Sequence, residues 1–317
     1  GFGSHAAALG QQILQNALEL PMLPGAPLTA AELDEPLLCA QLAELAYAES
    51  EAELLRGLRS LANLTLVAFH QQLVLADSDW LAEEADAQWF VAHSDEEGGA
   101  LYVVFRGTTT LNDLLHDLQT EPAEGFHRGF LGMVRRCEPL HALLRREARR
   151  SRKLVLVGHS LGGALALTLL GAGYVPRSAP RPLVYTFGAP AVLHRSERSS
   201  ECAAALRRAH VRSFVCGRDV VPRLLGSELP LLSAALERWG PRVTGGGTSL
   251  AEHRRVLATW SDYEHPAAPA EIIFVDPGTA AEVRTVPAHL RRRLLHIHQA
   301  ASVGDPHSAV THHGEYA

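Results

Sequence analysis

The chain has 317 residues, 47% hydrophobic and 20% charged, a balance that suits a folded globular protein and excludes an intrinsically disordered one. Its formal net charge of -6 excludes a global positive field drawing it to nucleic acid or an anionic membrane. No apolar run approaches the ~20 residues needed to span a bilayer, and the four scattered cysteines show neither a disulfide framework nor zinc-type spacing.

The segment Leu18 to Leu28 is broken by Glu19, Pro21, Pro24 and Pro27 and does not read as a signal peptide. Residues 1–30 read as an N-terminal extension. Leu37, Leu38, Leu42, Leu45 and Ala46 fall on helical spacing and predict an amphipathic helix over 36–49. Short strands are expected at 64–69 and 88–92. A Gly98-Gly99 turn then leads into Ala100 to Phe105, a continuous apolar run of the kind found in strands covered on both faces. Leu111, Leu114, Leu115 and Leu118 stand at i, i+3, i+4 and i+7, which predicts a short amphipathic helix.

A longer helix is expected over 129–148. It ends in a basic run from Arg145 to Lys153, read as a solvated helix end whose cations suit the helix's negative pole, with lipid-phosphate contact as the alternative. Strands at 153–157, 183–187 and 211–216 and a helix over 160–171 follow. A leucine-rich stretch from Leu224 to Trp239 and a Gly245-Gly246-Gly247 loop belong to an insertion over about 223–265. Residues 271–275 and 282–286, joined across Asp276-Pro277-Gly278-Thr279, predict a hairpin. The alternation of strand and helix signals implies an α/β fold with a mostly parallel central sheet flanked by helices. The whole of 1–317 reads as a single domain. Cys39, Cys137, Cys202 and Cys216 read as reduced thiols, which favours an intracellular location over a secreted one.

The most informative segment runs from Lys153 to Leu167: a buried strand, Gly158-His159-Ser160-Leu161-Gly162, then a helix. A G-x-S-x-G sequence carries chemical meaning in that strand–turn–helix context. Glycines on both sides let the chain double back, so Ser160 can hold a strained conformation and present its hydroxyl as a nucleophile. The N–H of Leu161, at the helix N-terminus, is then placed to stabilise an oxyanion. The plainer alternative makes Ser160 a simple N-cap. His159 reads as a packing or turn residue rather than a catalytic base.

These residues, with four further motifs in chain order, resemble the class 3 lipases, the fungal triacylglycerol lipase-like family with plant and algal members. The motifs are Val103-Val104-Phe105-Arg106-Gly107-Thr108, His127-Arg128-Gly129-Phe130, the nucleophile elbow Gly158-His159-Ser160-Leu161-Gly162-Gly163, Tyr185-Thr186-Phe187-Gly188-Ala189-Pro190, and Asp219-Val220-Val221-Pro222. The resemblance covers about 88–225 well and the C-terminus loosely. It implies an α/β-hydrolase fold and carboxylic ester hydrolysis on acyl glycerolipids through a Ser-His-Asp triad, with no metal or organic cofactor.

By the same resemblance the oxyanion donors are Thr108 and Leu161. Asp117 orients the Thr108 hydroxyl, a solvent-facing helix carboxylate being the alternative. Asp219 is the acid of the triad, against an Asx turn or helix cap. The base is a C-terminal histidine. His313, in Thr311-His312-His313-Gly314-Glu315-Tyr316, comes nearest to the family pattern, with His307 and His312 as alternatives. Leu111, Leu114, Leu115 and Leu118 fall where the family places its lid. The expected partners are a lipid or lipid-like ester and transiently a membrane or lipid-droplet surface, and no nucleic acid. A cytosolic or plastid location fits. Two rival functions stay open: a feruloyl-type esterase or thioesterase, and a lipase-like binding or signalling module without catalysis.

Overall fold

The computed structural model describes residues 25–61, 64–71, 86–94, 99–108, 122–197, 200–217, 219, 221–224, 262–266, 270–276 and 283–286. The first element is helix α1, Ala30–Leu45. Its start is fixed by Thr29, whose backbone N–H and hydroxyl both donate to the Glu32 carboxylate, at 2.8 and 2.7 Å. The sequence reading placed this start at residue 36. Pro36 instead sits inside the helix, where it leaves the Glu32 carbonyl without its usual donor. The Arg212 guanidinium reaches that carbonyl at 3.5 Å. After α1 a second helix, α2, spans Glu51–Leu61 and buries Leu54 and Leu58 one turn apart.

Strands β1 (Leu64–His70), β2 (Trp89–Ser94) and β3 (Ala100–Phe105) form an antiparallel meander. Two short strands, β4 (Pro122–Ala123) and β5 (Phe126–His127), precede helices α3 (Arg128–Arg136) and α4 (Glu138–Glu147). One continuous helix was expected here. The chain breaks at Cys137 (φ -75°, ψ 42°), because Pro139 in the first turn of α4 cannot extend the preceding helix.

Next come β6 (Lys153–His159), helix α5 (Leu161–Gly171), β7 (Leu183–Phe187) and the two-residue β8 (Leu193–His194). Helix α6 (Glu201–Arg208) opens on Ser200, whose hydroxyl accepts the Ala203 N–H at 3.3 Å. Strand β9 (His210–Cys216), a single turn α7 (Val221–Leu224), β10 (Tyr263–Glu264), β11 (Glu271–Val275) and β12 (Val283–Val286) complete the described chain.

The main sheet has eight strands in the order β1-β2-β3-β6-β7-β9-β11-β12. Its centre, from β3 to β11, is parallel. The expected β11–β12 pairing is antiparallel, with Ile272 opposite Val286. Alternate residues of the central strands feed two cores. Val103, Phe105, Leu154 and Leu156 pack with α3 to α6, whereas Tyr102, Val104, Val155 and Val157 pack with Leu42, Leu54 and Leu58 of α1 and α2. Both faces are therefore covered, which is why these strands read as continuous apolar runs. Helix α5 is buried along its whole length. This is the α/β-hydrolase arrangement. A smaller sheet, β10-β8-β5-β4, lies outside the sequence expectations.

Candidate active site

At the C-terminal end of β6 the chain reverses into α5 within one residue. Ser160 takes φ 54° and ψ -126°, and only Glu124 shares its positive φ among the described non-glycine residues. Such a conformation costs about 1–3 kcal/mol and persists only where its surroundings enforce it. Three constraints do so here. The Ser160 N–H donates to the Phe187 carbonyl at 2.8 Å. A Cβ on Gly158 would lie 2.2 Å from the backbone of Gly162, and one on Gly162 would lie 2.3 Å from the Phe105 carbonyl. Strand and helix therefore approach at distances that only glycine permits.

The serine hydroxyl does not cap its own helix, so the plain N-cap alternative fails. The Gly163 and Ala164 N–H groups both turn to the Ser160 carbonyl. Leu161, the first residue of α5, has no acceptor within the helix for its own N–H. That donor stands at the helix's positive pole.

Thr108 follows β3 and lies beside this turn. A Cβ on its neighbour Gly107 would come 3.2 Å from the Ser160 Cβ. The Thr108 Oγ1 is buried and has no hydrogen-bond partner among the described residues. A buried donor left unmade is costly, and the group it lacks is one a bound oxyanion would supply.

Asp219 is wholly buried just beyond β9. Its N–H donates to the Cys216 carbonyl, and its Oδ1 accepts the Val221 N–H, both at 2.9 Å. The acid does form an Asx-type turn, and the same contact fixes the carboxylate's direction. Parallel pairing brings these groups to one edge, because Phe105 is in register with Gly158, His159 with Phe187, and Phe187 with Phe214. Thr108, Ser160 and Asp219 thus all follow C-terminal strand ends, where open α/β sheets bind ligands. Ser160 itself is only 2% exposed.

Behind the turn lies a group the sequence reading did not single out. The Tyr47 hydroxyl is 2.8 Å from the His159 Nδ1, and the Arg106 guanidinium sits 5.3 Å from the Tyr47 ring centre. Burial pushes the Tyr47 hydroxyl up to about 12, against smaller opposing effects of Arg106 and the Gly107 N–H. The His159 Nδ1 is thus engaged by Tyr47. Asp117, the leucines 111, 114, 115 and 118, and the candidate bases His307, His312 and His313 lie outside the described residues.

Comparison with known proteins bears on this geometry. Residues 102–228 match the family model described as Lipase (class 3). A chloroplastic phospholipase A1 of Arabidopsis thaliana is 29% identical over 208 residues, covering 61% of this chain and 28% of that protein. A lipase of Rhizomucor miehei is 29% identical over 173 residues, covering 50% of this chain and 47% of that one. The chain therefore spans less than half the length of either relative. Among solved structures, a lipase from Rhizopus microsporus var. chinensis superposes with a TM-score of 0.60 at 18% identity, over 94% of this chain and 91% of that one. At that identity the likeness speaks for the fold.

Proposed function

We propose that this chain, whose residues 102–228 match the class 3 lipase family model, is a serine ester hydrolase acting on acyl glycerolipids. Residues 1–317 are read as one hydrolase domain. Ser160 Oγ attacks the ester carbonyl while a tail histidine takes its proton, His313 before His307 or His312. Asp219 holds that imidazole in the right tautomer and stabilises its cation. The Leu161 N–H and Thr108 hold the oxyanion, with Asp117 aligning the Thr108 hydroxyl. Collapse of the tetrahedral intermediate expels the alcohol, which takes the histidine's proton, and water then releases the acid from the acyl-enzyme by the same steps. None of these steps calls for a metal or an organic cofactor.

One observation carries the reading: Ser160 is held in a strained, positive-φ turn with its hydroxyl unused as a helix cap. A fold keeps such strain where the side chain has work elsewhere. The leucine-rich segments at 111–118 and 224–239 flank the chain between the proposed site residues. They suit a long acyl chain, and the first is read as a lid over the buried serine. Tri- or diacylglycerol, phospholipid and galactolipid are the proposed substrates, met at a membrane or lipid-droplet surface in the cytosol or a plastid.

A fluorophosphonate should label Ser160, and Ser160→Ala should lower hydrolysis of long-chain glycerolipid by about 10⁶-fold with the fold retained. A near-wild-type rate in Ser160→Ala, or no labelling of the folded wild type, refutes the assignment. A strong preference for short or aromatic acyl groups refutes the substrate class alone.

A further inference from the structure

We propose that Tyr47 is a positioning residue for ester hydrolysis, its hydroxyl tying the oxyanion segment to the nucleophile turn; the inference rests on the Ser160 reading above. An oxyanion hole takes one donor from each of two chain segments, and its geometry depends on their separation. Here the segments are 106–108 after β3 and 159–161 around the end of β6. The β3–β6 ladder stops at Phe105 opposite Gly158. Both donors therefore lie beyond the last rung of the pairing that would otherwise set their spacing.

Tyr47 reaches this gap from the turn after α1. Its hydroxyl lies 2.8 Å from the His159 Nδ1 and interacts with the Gly107 N–H. The packing is close. A Cβ on Gly107 would stand 2.5 Å from the Tyr47 Oη, 2.5 Å from the His159 carbonyl oxygen and 3.2 Å from the Ser160 Cβ. One oxygen thus contacts the residue before Thr108 and the residue before Ser160 at once. The ring is pinned in turn, because Arg106 packs over it and donates to the Gln88 Oε1 at 2.6 Å.

Burial and the adjacent guanidinium make this a rigid contact. A displacement of about 1 Å between catalytic groups costs on the order of 10²-fold in rate. Losing the hydroxyl should therefore impair catalysis well beyond any effect on binding.

The test measures kcat and KM with a soluble nitrophenyl ester and the rate of fluorophosphonate labelling, in Tyr47→Phe, His159→Leu, His159→Asn and the Tyr47→Phe/His159→Leu double variant. Tyr47→Phe is expected to lower kcat and the labelling rate together, by about 10- to 100-fold, with KM little changed and thermal stability near wild type. His159→Leu should match it. The double variant should be no slower than either single, since both remove one shared contact. His159→Asn, which keeps a hydrogen-bonding group near the Nδ1 position, should recover much of the rate.

A folded Tyr47→Phe with wild-type kcat overturns the proposal, as does a double variant whose losses multiply. If Tyr47→Phe does not fold, the histidine pair decides: equal kcat in His159→Asn and His159→Leu overturns it, and recovery in the former supports it. Activity surviving in Ser160→Ala would instead sink the proposed function. A silent Ser160→Ala beside a fully active Tyr47→Phe removes only the role of Tyr47.

Discussion

Replacing Gly158 by alanine tests whether the close approach of β6 and α5 sets both stability and rate. The added Cβ would meet the Gly162 carbonyl carbon at 2.2 Å, its oxygen at 2.3 Å and the Gly163 nitrogen at 2.4 Å. All three are backbone atoms, so no side chain can swing aside. Ordinary contact lies at about 3.4 Å or more, and strand and helix must separate by roughly 1 Å. Overpacking of this kind costs about 1–3 kcal/mol, a fall in Tm of a few degrees for a chain of this size. The same shift carries the Leu161 N–H away from the proposed oxyanion position. That predicts a loss of about 10²-fold in kcat, equivalent to about 2.7 kcal/mol of barrier. Gly173→Ala is the control: its φ is +81° but nothing lies within 4 Å, so it should lose about 1–2 kcal/mol from backbone strain alone and keep its kcat. Steady-state ester hydrolysis and urea unfolding read both quantities. A Gly158→Ala protein with wild-type kcat and unchanged stability refutes the argument.

Two further outcomes follow from buried titratable groups. His141 stacks on Tyr174 with ring centres 4.0 Å apart, and its Nε2 is buried without a partner among the described residues. Desolvation lowers its pKa below the ordinary value near 6.5. The folded state thus disfavours the imidazolium, and this contribution to stability is whole above about pH 6.5 and is lost as pH falls through the lowered folded value. His141→Phe, which keeps the stacking, should unfold with a shallower pH dependence than wild type between pH 7.5 and 5, and parallel urea midpoints would exclude the effect. Among the thiols, burial raises Cys39 well above the usual range and Cys137 to about 12, while Cys202 is half-exposed. A maleimide should therefore modify Cys202 first in the native protein and the other three only on unfolding. Rapid native labelling of Cys39 would contradict the core packing of α1 against the sheet.

Legibility followed the reach of the forces involved. The central strands could be read because both of their faces are covered, which leaves no polar residue to interrupt 101–105 or 154–157. The turn at Ser160 was legible because Gly158 answers to Gly162 and Gly163 a few residues along the chain, although Gly162 itself meets the distant Phe105 carbonyl. Element boundaries were less so. Pro36 drew the expected start of α1 into the helix interior, although Thr29 and Glu32 carry the capping signal. Pro139 breaks the predicted 129–148 helix because apolar periodicity runs on across the Cys137 junction. The two-residue strands β4, β5, β8 and β10 are too short to show any period at all. Tyr47 had no local signal, since its partner His159 lies 112 residues further along the chain.

The distribution of strain explains why such distant residues converge on one turn. A serine at φ 54° would relax if the chain around it could move. It is held from three sides: by the Phe187 carbonyl of β7, by the glycine contact between β6 and α5, and by the close approach of Gly162 to the Phe105 carbonyl of β3. Each support comes from a different element, so no single loop determines the serine's geometry. Helix α5 adds the fourth constraint, because a helix buried along its whole length cannot tilt without opening the core. Rigid elements therefore fix the proposed nucleophile and the proposed Leu161 donor in one relation before any substrate arrives, which is the condition for electrostatic stabilisation without reorganisation.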